Sequence, residues 1–186
     1  MRARFSAAAA MKPVSVGVDF GTSNTVIAVV DSHGRSNVLQ VSSRSGAGPA
    51  LPSILCFRPN ESNPRDRPVS SAGADAVADY LSRTGPARLV QSLKSFLGSR
   101  TFTDTRIFSS TFTLDGLIGA LLNHLYAATD ARDLIGHAPL VAGRPIRFAG
   151  TSPDDDLAQT RLVAAFESAG KAPDRIGLEP EAAAYA

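Results

Sequence analysis

The first residues that could do chemistry lie in a short connection between two apolar segments. Residues 14–20 and 25–30 are rich in β-branched side chains, which favour strands. The connection between them reads Gly21-Thr22-Ser23-Asn24. These are the small and polar residues of a tight hairpin, in which a glycine takes backbone angles closed to other residues. Such a loop can direct backbone N–H groups and two hydroxyls to one point, and a protein can bind phosphate in this way without a large counter-charge.

Asp19 comes just before this connection, on an otherwise apolar strand. A carboxylate there is costly to bury unless a cation or hydrogen-bond donors meet it. The Mg²⁺ of a bound nucleotide is such a cation, and proteins often hold it through water. The pattern therefore indicates a phosphate and Mg²⁺ site, and the alternative is a hairpin whose Asp caps its own turn. A Walker A loop is excluded, since it would need a lysine and a following helix.

The composition is that of an ordinary globular protein. Of 186 residues, 44% are hydrophobic and 19% are charged, and the formal net charge is +2, so a sizeable core is possible and global disorder is not expected. Lys and Arg are scattered without a basic stripe, so we expect no nucleic-acid partner. The single cysteine, Cys56, excludes an internal disulfide and has the apolar neighbours of a buried strand residue. The three histidines lack metal-ligand spacing, so no zinc site is predicted.

Membrane insertion is not expected, because no apolar run has the length of a membrane span. The best candidate, residues 114–128, is interrupted by Asp115, Asn123 and His124. The first ten residues carry two arginines and an alanine run, but the second half of a targeting peptide does not follow them. We therefore expect a cytoplasmic protein without a membrane partner, with a disordered leader at residues 1–12.

The first half of the chain predicts mainly strands and loops. We expect a third strand at residues 37–41, a Gly- and Ser-rich loop at 42–50 and a short strand at 51–57. Helical spacing predicts a helix at residues 73–83. Its shared apolar face would contain Ala74, Val77, Ala78 and Leu81.

The second half alternates helices and strands, which indicates an α/β layer. Leucine and isoleucine recur at three- and four-residue intervals over residues 114–125, so we expect an amphipathic core helix with Thr113 as its N-cap. A second helix should start at Ser152, followed by Pro153 and three aspartates. The aspartates could suggest metal binding, but acids at the positive end of a helix dipole explain them better.

Three segments, in this order, resemble motifs of one protein family. Residues 16–24 resemble the first phosphate-binding motif of the actin-like ATPase superfamily. Residues 88–98, RLVQSLKSFLG, resemble a segment of the seventy-kilodalton heat-shock chaperones in which a lysine precedes a hydrophobic pair and a glycine. Residues 177–186, GLEPEAAAYA, resemble their E-P-x-A-A-A segment. The chain thus resembles the heat shock protein 70 family of DnaK-type molecular chaperones over residues 13–186, and most closely its divergent YegD-like branch.

This resemblance implies a fold and an activity. The fold would be the α/β first lobe of an actin-like, ribonuclease H-like ATPase, with a mixed sheet flanked by helices and a smaller inserted subdomain at about residues 43–112. The activity would be phosphoryl transfer from ATP to water, which needs mainly positioning and charge neutralisation. The family's second lobe, together with which this lobe would hold the nucleotide, would follow residue 186. We therefore expect this chain alone to hydrolyse ATP negligibly. Unfolded polypeptide clients would bind through a further C-terminal region.

The resemblance also assigns catalytic roles. Asp19 matches the acid that holds water ligands of Mg²⁺, and Glu179 matches the carboxylate that completes the Mg²⁺ and water network. Lys94 matches the amine that neutralises the γ-phosphate and orients the attacking water. Thr22 would supply the hydroxyl nearest the γ-phosphate. Without the resemblance, Lys94 would be interpreted as a solvated helix lysine and Glu179 as a helix-start acid.

The cofactors implied are ATP or ADP with Mg²⁺, bound by the loop. Gly21, Thr22 and Ser23 match the family's phosphate loop, and Asn24 completes the expected nucleotide contact. Many of these chaperones carry an aromatic residue in place of Asn24, so the contact there would differ.

A second departure from the family lies at residues 143–146, where Gly-Arg-Pro-Ile replaces the usual V-P-A-Y and retains the proline. The arginine expected beyond it is not in register, and the nearest is Arg161. In the family this proline and arginine are associated with coupling of nucleotide state to peptide binding. The resemblance therefore does not extend that coupling to this chain.

Two other functions remain open at this stage. A sugar or small-metabolite kinase of the same superfamily would use a catalytic aspartate beyond residue 186 as the base for a substrate hydroxyl. A non-enzymatic, actin-like assembly module would polymerise or bind a partner without turnover.

Overall fold

The computed structural model describes residues 15–82, 85–150 and 152–178. The predicted leader and Glu179 lie outside these ranges. The first elements are β1 (Ser15–Phe20), β2 (Asn24–Val30), β3 (Ser36–Val38), β4 (Val41–Ser43), β5 (Gly46–Gly48), β6 (Leu51–Pro52), β7 (Ile54–Arg58), β8 (Val69–Ala72), α1 (Gly73–Leu81) and β9 (Arg88–Gln91). A 3₁₀ helix (Leu93–Phe96) follows, and then β10 (Asp104–Ile107), β11 (Ser110–Thr113), α2 (Leu114–Ala128), α3 (Arg132–His137), β12 (Leu140–Arg144), α4 (Asp155–Ser168) and β13 (Arg175–Leu178).

The described chain is a mixed α/β structure with β1 in the middle of its main sheet. The strand order is β13-β12-β1-β2-β3, with β6 paired to β2. β1 is antiparallel to β2 and parallel to β12, which is parallel to β13. Because these three parallel strands point the same way, their carboxyl ends, at Phe20, Arg144 and Leu178, meet at one edge of the sheet. This is the edge at which open α/β sheets bind ligands.

Alternation along β1 decides which of its side chains enter the core. Val16, Val18 and Phe20 are buried, whereas Asp19 is exposed. Successive side chains of a strand point to opposite faces, so one acid is tolerated beside three core residues. The two strands predicted from β-branched residues are confirmed.

Helices α2 and α4 pack against each other and share one hydrophobic core with the main sheet. All six residues of the predicted α2 stripe are buried: Leu114, Leu117, Ile118, Leu121, Leu122 and Leu125. The Thr113 side chain accepts a hydrogen bond from Gly116 N–H, which confirms the predicted N-cap. Within the described residues, no helix has both the length and the apolar character needed to cross a bilayer.

Apart from β6, the strands between β3 and α2 form small sheets of their own. β4 and β5 make a hairpin, β10 and β11 make another, and β8-β7-β9 form a three-stranded sheet. The loop predicted at residues 42–50 is therefore wrong, because Val41 pairs with Gly48 and Ser43 with Gly46 across a turn. The glycine at 46, with φ +136°, permits that turn.

The single strand predicted at residues 51–57 is also wrong. It is divided at Ser53 into β6, which joins the main sheet, and β7, which joins the small sheet. Ser53 N–H donates to the carbonyl of Ser23. The chain thus leaves one sheet and enters the other at a residue bound to the β1–β2 loop.

Helix α1 is present, but its predicted apolar face is exposed. Val77 is 36% exposed and Leu81 is 64% exposed, while Asp79 is buried. The Asp79 carboxylate accepts a hydrogen bond of 2.7 Å from Arg44, and Arg58 lies 3.8 Å away. Burial raises the pKa of Asp79, but bonds from Ser71 and Arg44 outweigh it and hold the pKa below its ordinary value. A paired charge therefore overrides the apolar spacing in deciding which face is buried.

The N-cap predicted at Ser152 lies two residues later in the structure. The N-cap of α4 is Asp154, whose side chain accepts a hydrogen bond of 2.9 Å from Leu157 N–H. Asp154 also forms an ion pair of 2.7 Å with Arg100. The aspartates thus serve the helix start, as predicted, but the cap belongs to the first of them because a second segment binds it.

Candidate functional site

The loop at residues 21–24 closes the β1–β2 hairpin at the edge of the sheet where β1, β12 and β13 end. Phe20 pairs with Thr25 just before the turn. Thr22, Ser23 and Asn24 are exposed. A Cβ added at Gly21 would overlap the carbonyl oxygen of Asn24. Glycine is therefore required for this tight turn by close backbone approach.

Ser53 fixes the shape of this loop from behind. Its N–H donates to Ser23 O at 2.8 Å and its hydroxyl donates to Gly21 O at 2.8 Å. The Thr25 and Ser53 hydroxyl oxygens are 2.9 Å apart. Since the Ser53 proton goes to Gly21, Thr25 donates to Ser53, and both side chains are buried. The carbonyls of Gly21 and Ser23 thus accept hydrogen bonds from Ser53, while the side chains of Thr22 and Ser23 are exposed.

The sequence does not predict these hydrogen bonds of Ser53. It presents Thr25 as a β-branched strand residue and Ser53 as part of a short strand. The available signal was a polar residue inside an apolar segment, which is costly to bury without a hydrogen-bond partner. Only the pairing of β6 with β2 places Ser53 beside the loop.

Asp19 and Lys94 come together although they are far apart in the sequence. Lys94 Nζ lies 3.9 Å from Asp19 Oδ1, and the lysine side chain is only 10% exposed, against 60% for the aspartate. Buried Leu93 and Leu97 anchor the 3₁₀ helix that carries the lysine. The N-cap of this helix, Ser92, takes a left-handed conformation with φ 59°.

The ion pair explains little of the stability of this arrangement. At 3.9 Å and with one partner mostly in water, such a pair contributes up to about 1 kcal/mol. Burial of a lysine is costly in comparison. Chemically, the amine can bind a phosphate oxygen and the exposed carboxylate can hold water ligands of a hydrated Mg²⁺. The described residues thus place an amine and an exposed carboxylate close together.

The second predicted carboxylate, Glu179, lies outside the described residues. Leu178, which precedes it in the sequence, pairs with Arg144 at the carboxyl ends of β13 and β12. Within residues 15–82, 85–150 and 152–178, no three His, Cys, Asp or Glu side chains are grouped to hold a metal ion. Of the two predicted metal ligands, Asp19 is the one placed, and its exposure suits contact through water.

Arg144 ends β12 at the same edge, but its contacts lie in the connection that follows and in α4. The guanidinium donates to Gln159 Oε1 at 2.5 Å and to Ile146 O at 3.2 Å. It also lies over the Phe148 ring, 5.4 Å from the centroid. The side chain therefore holds the β12–α4 connection.

Two cavities lie away from this edge. One of about 490 Å³ is formed by the β4–β5 hairpin, β8 and α1, and one of about 630 Å³ contains Phe57, Phe112 and Arg67. Ser70 and His124 contribute to both, and Ser70 Oγ is 3.0 Å from His124 Nε2. Burial, assisted by the charge of Arg132, lowers the pKa of His124. The pair joins β8 to α2 through a neutral imidazole, and neither cavity contains Asp19 or Lys94.

Comparison of the sequence with protein-family models and with curated proteins gives no significant match. The interpretation of the site therefore depends on its motifs and on its geometry. The motifs are those around Asp19, Lys94 and Glu179. The geometry is the approach of Asp19 and Lys94 beside an exposed hairpin loop.

Proposed function

We propose that this chain is the ATP-binding lobe of a heat shock 70-like molecular chaperone ATPase. The single observation that carries the proposal is the 3.9 Å approach of Lys94 Nζ to Asp19 Oδ1 beside the loop at residues 21–24. A mixed sheet with helices and a smaller unit inserted between β3 and α2 supports the first lobe of the actin-like ATPase fold. A cytoplasmic location and polypeptide clients are parts of the same proposal.

Each residue of the site has a defined task in this function. Thr22 and Ser23 present hydroxyls to the phosphates from the exposed side of the loop. Lys94 neutralises the γ-phosphate, and its burial keeps the amine in one place. Asp19 orients water ligands of Mg²⁺, which supplies the charge that the transferring phosphoryl group needs. Glu179 completes this network according to its motif.

The test is a titration of the ¹⁵N-labelled chain with Mg-ATP, observed by NMR so that millimolar affinity is detected. We expect amide shifts at residues 19–24 and around Lys94. Lys94→Met removes a charge-assisted hydrogen bond of about 1.5–3 kcal/mol, so affinity should fall tenfold or more. The control is Lys171→Met, because Lys171 pairs with Asp174 beyond the site. Shifts confined to other residues, or equal affinity in both variants, would contradict the proposal.

The activity itself is measured on the full product of the gene. Release of phosphate from ATP in water alone supports the chaperone-like ATPase. Phosphorylation of a sugar panel would favour the metabolite kinase. ATP-dependent light scattering without turnover would favour the assembly module.

A further inference from the structure

Arg161 of α4 binds the segment that follows Lys94 at four points. The acceptors are the backbone carbonyls of Phe96 at 3.4 Å, Leu97 at 3.1 Å and Ser99 at 2.8 Å from Nη1, and of Phe102 at 2.7 Å from Nη2. A planar guanidinium presents donors on two sides, so one side chain can satisfy carbonyls that point at it from different directions. The contact joins two segments that are far apart in the sequence.

The same segment is held at the start of α4 by three further contacts. Asp154 N–H donates to Gly98 O at 3.1 Å, and a Cβ on Gly98 would lie 2.9 Å from Pro153 Cβ. Arg100 pairs with Asp154 at 2.7 Å. The backbone at residues 96–102 is thus docked against α4, with Arg161 making most of the hydrogen bonds.

These contacts begin at Phe96, two residues after the lysine. Lys94 lies in the 3₁₀ helix, and Leu97 N–H donates to Lys94 O at 3.3 Å. The last carbonyls of a helical turn lack partners within it. Here the Phe96 carbonyl accepts from Ser99 N–H at 3.0 Å and from Arg161, and the Leu97 carbonyl accepts from Arg161. Movement of Arg161 would therefore release the turn from which the Lys94 side chain extends.

We propose that Arg161 is a positioning residue that sets where the Lys94 amine stands relative to Asp19. Its part in nucleotide binding rests on the proposed function, but its effect on Lys94 does not. Arg161 does not contact the loop at residues 21–24 among the described residues; it acts through the backbone of residues 96–102. Arg161 of α4 thus holds the Lys94 amine in place, and Lys94 itself contacts the phosphate.

The first test measures the amine directly. The variants Arg161→Met and Arg161→Lys are treated with an N-hydroxysuccinimide acetyl ester, and acetylation of Lys94 relative to Lys171 is quantified by mass spectrometry. With Arg161→Met we expect Lys94 to react about tenfold faster, as loss of several charged hydrogen bonds would allow. Arg161→Lys retains the charge but not the two-sided reach, so its rate should be intermediate.

Two controls keep this result decisive. Lys171 in the same molecules reports unfolding, since its rate would rise as well if the whole chain opened. Arg147→Met removes an exposed arginine elsewhere and should leave both rates unchanged. If Arg161→Met unfolds, Arg161→Lys decides. A wild-type rate of Lys94 acetylation in the folded Arg161 variants overturns the proposal.

The second test separates this proposal from the proposed function. Mg-ATP is titrated into the same variants, and Arg161→Met should weaken binding, with partial rescue by Arg161→Lys. Faster Lys94 acetylation in a chain whose wild type does not bind Mg-ATP would support positioning and contradict nucleotide binding by this chain on its own. Binding that is lost with Lys94→Met but unchanged in Arg161→Met would contradict positioning alone.

Discussion

Replacement of Ser53 by alanine removes the central member of a buried hydrogen-bond chain. In the wild type the Thr25 hydroxyl donates to Ser53 Oγ at 2.9 Å, and Ser53 donates to Gly21 O at 2.8 Å. After Ser53→Ala, Thr25 retains a hydroxyl that is 0% exposed and has lost its acceptor. The Gly21 carbonyl loses its donor at the same time. Of the two hydrogen bonds that residue 53 donates to the candidate phosphate loop, only the one from its backbone N–H to Ser23 O would then remain.

The size of the effect follows from how many groups are orphaned. A buried polar group left without a partner costs about 1–3 kcal/mol, so Ser53→Ala should lower the free energy of unfolding by about 2 kcal/mol. Thr25→Val keeps the shape and leaves Ser53 bonded to Gly21, so its cost should be about 1 kcal/mol. In the double variant no hydroxyl of the pair is orphaned. Its loss should therefore be about 1 kcal/mol smaller than the sum of the single losses.

The assay is equilibrium unfolding in urea, followed by far-UV circular dichroism, for the wild type and the three variants. Ser62→Ala is the matched control, because Ser62 is exposed and such substitutions change stability by less than about 0.5 kcal/mol. Amide exchange at residues 21–24 reports the loop itself and should become faster with Ser53→Ala. Single effects that add to within about 0.3 kcal/mol, or a Ser53→Ala effect no larger than the control, would refute the hydrogen-bond chain.

Three further predictions concern backbone space and charge. Gly21→Ala should destabilise the chain by about 1–3 kcal/mol and weaken Mg-ATP binding. Gly17→Ala on the same hairpin has open space at its Cβ and should have neither effect. Urea unfolding measures the stability of both variants, and NMR titration measures their binding. Gly119→Ala would drive a methyl into the serine hydroxyl of α4 and lower the thermal midpoint, while Gly136→Ala in α3 should raise it through a gain of about 0.5–1 kcal/mol; equal shifts would contradict the packing of α2 on α4. The folded-state pKa of Asp79 is below its ordinary value of 3.8, so its stabilising effect is present above that value and is lost as pH falls through the folded pKa. Urea midpoints measured between about pH 6 and pH 2 should therefore fall less steeply for Asp79→Asn, and an unchanged slope would show that the pairing has no effect.

Strong local patterns were sufficient for several elements. The leucine periodicity gave α2 with its cap, and the β-branched runs gave β1 and β2, since side-chain spacing alone decides which residues a helix or strand can bury together. The tight turn at residues 21–24 could be predicted for the same reason. Its small residues limit the backbone to a tight turn, whatever surrounds it.

Other features depended on contacts between distant segments. The burial of Asp79 required Arg44 from another hairpin, so the apolar spacing of α1 gave the wrong face. The division of residues 51–57 at Ser53 required the β1–β2 loop as a hydrogen-bond partner. The local sequence does not predict which distant group will form an ion pair with a charged side chain or accept its hydrogen bond.

By itself, the sequence determined the residue types of the site: an acid before a turn of small residues, and a lysine within a hydrophobic segment. Only the tertiary structure decided that Lys94 is buried and that its amine lies 3.9 Å from Asp19 Oδ1. It also decided that Arg161 holds the backbone beside that lysine through four carbonyls. The physical reason is that residue type and local spacing decide which bonds a side chain can form. The distance between two side chains and their burial are decided only when the core packs separate segments together.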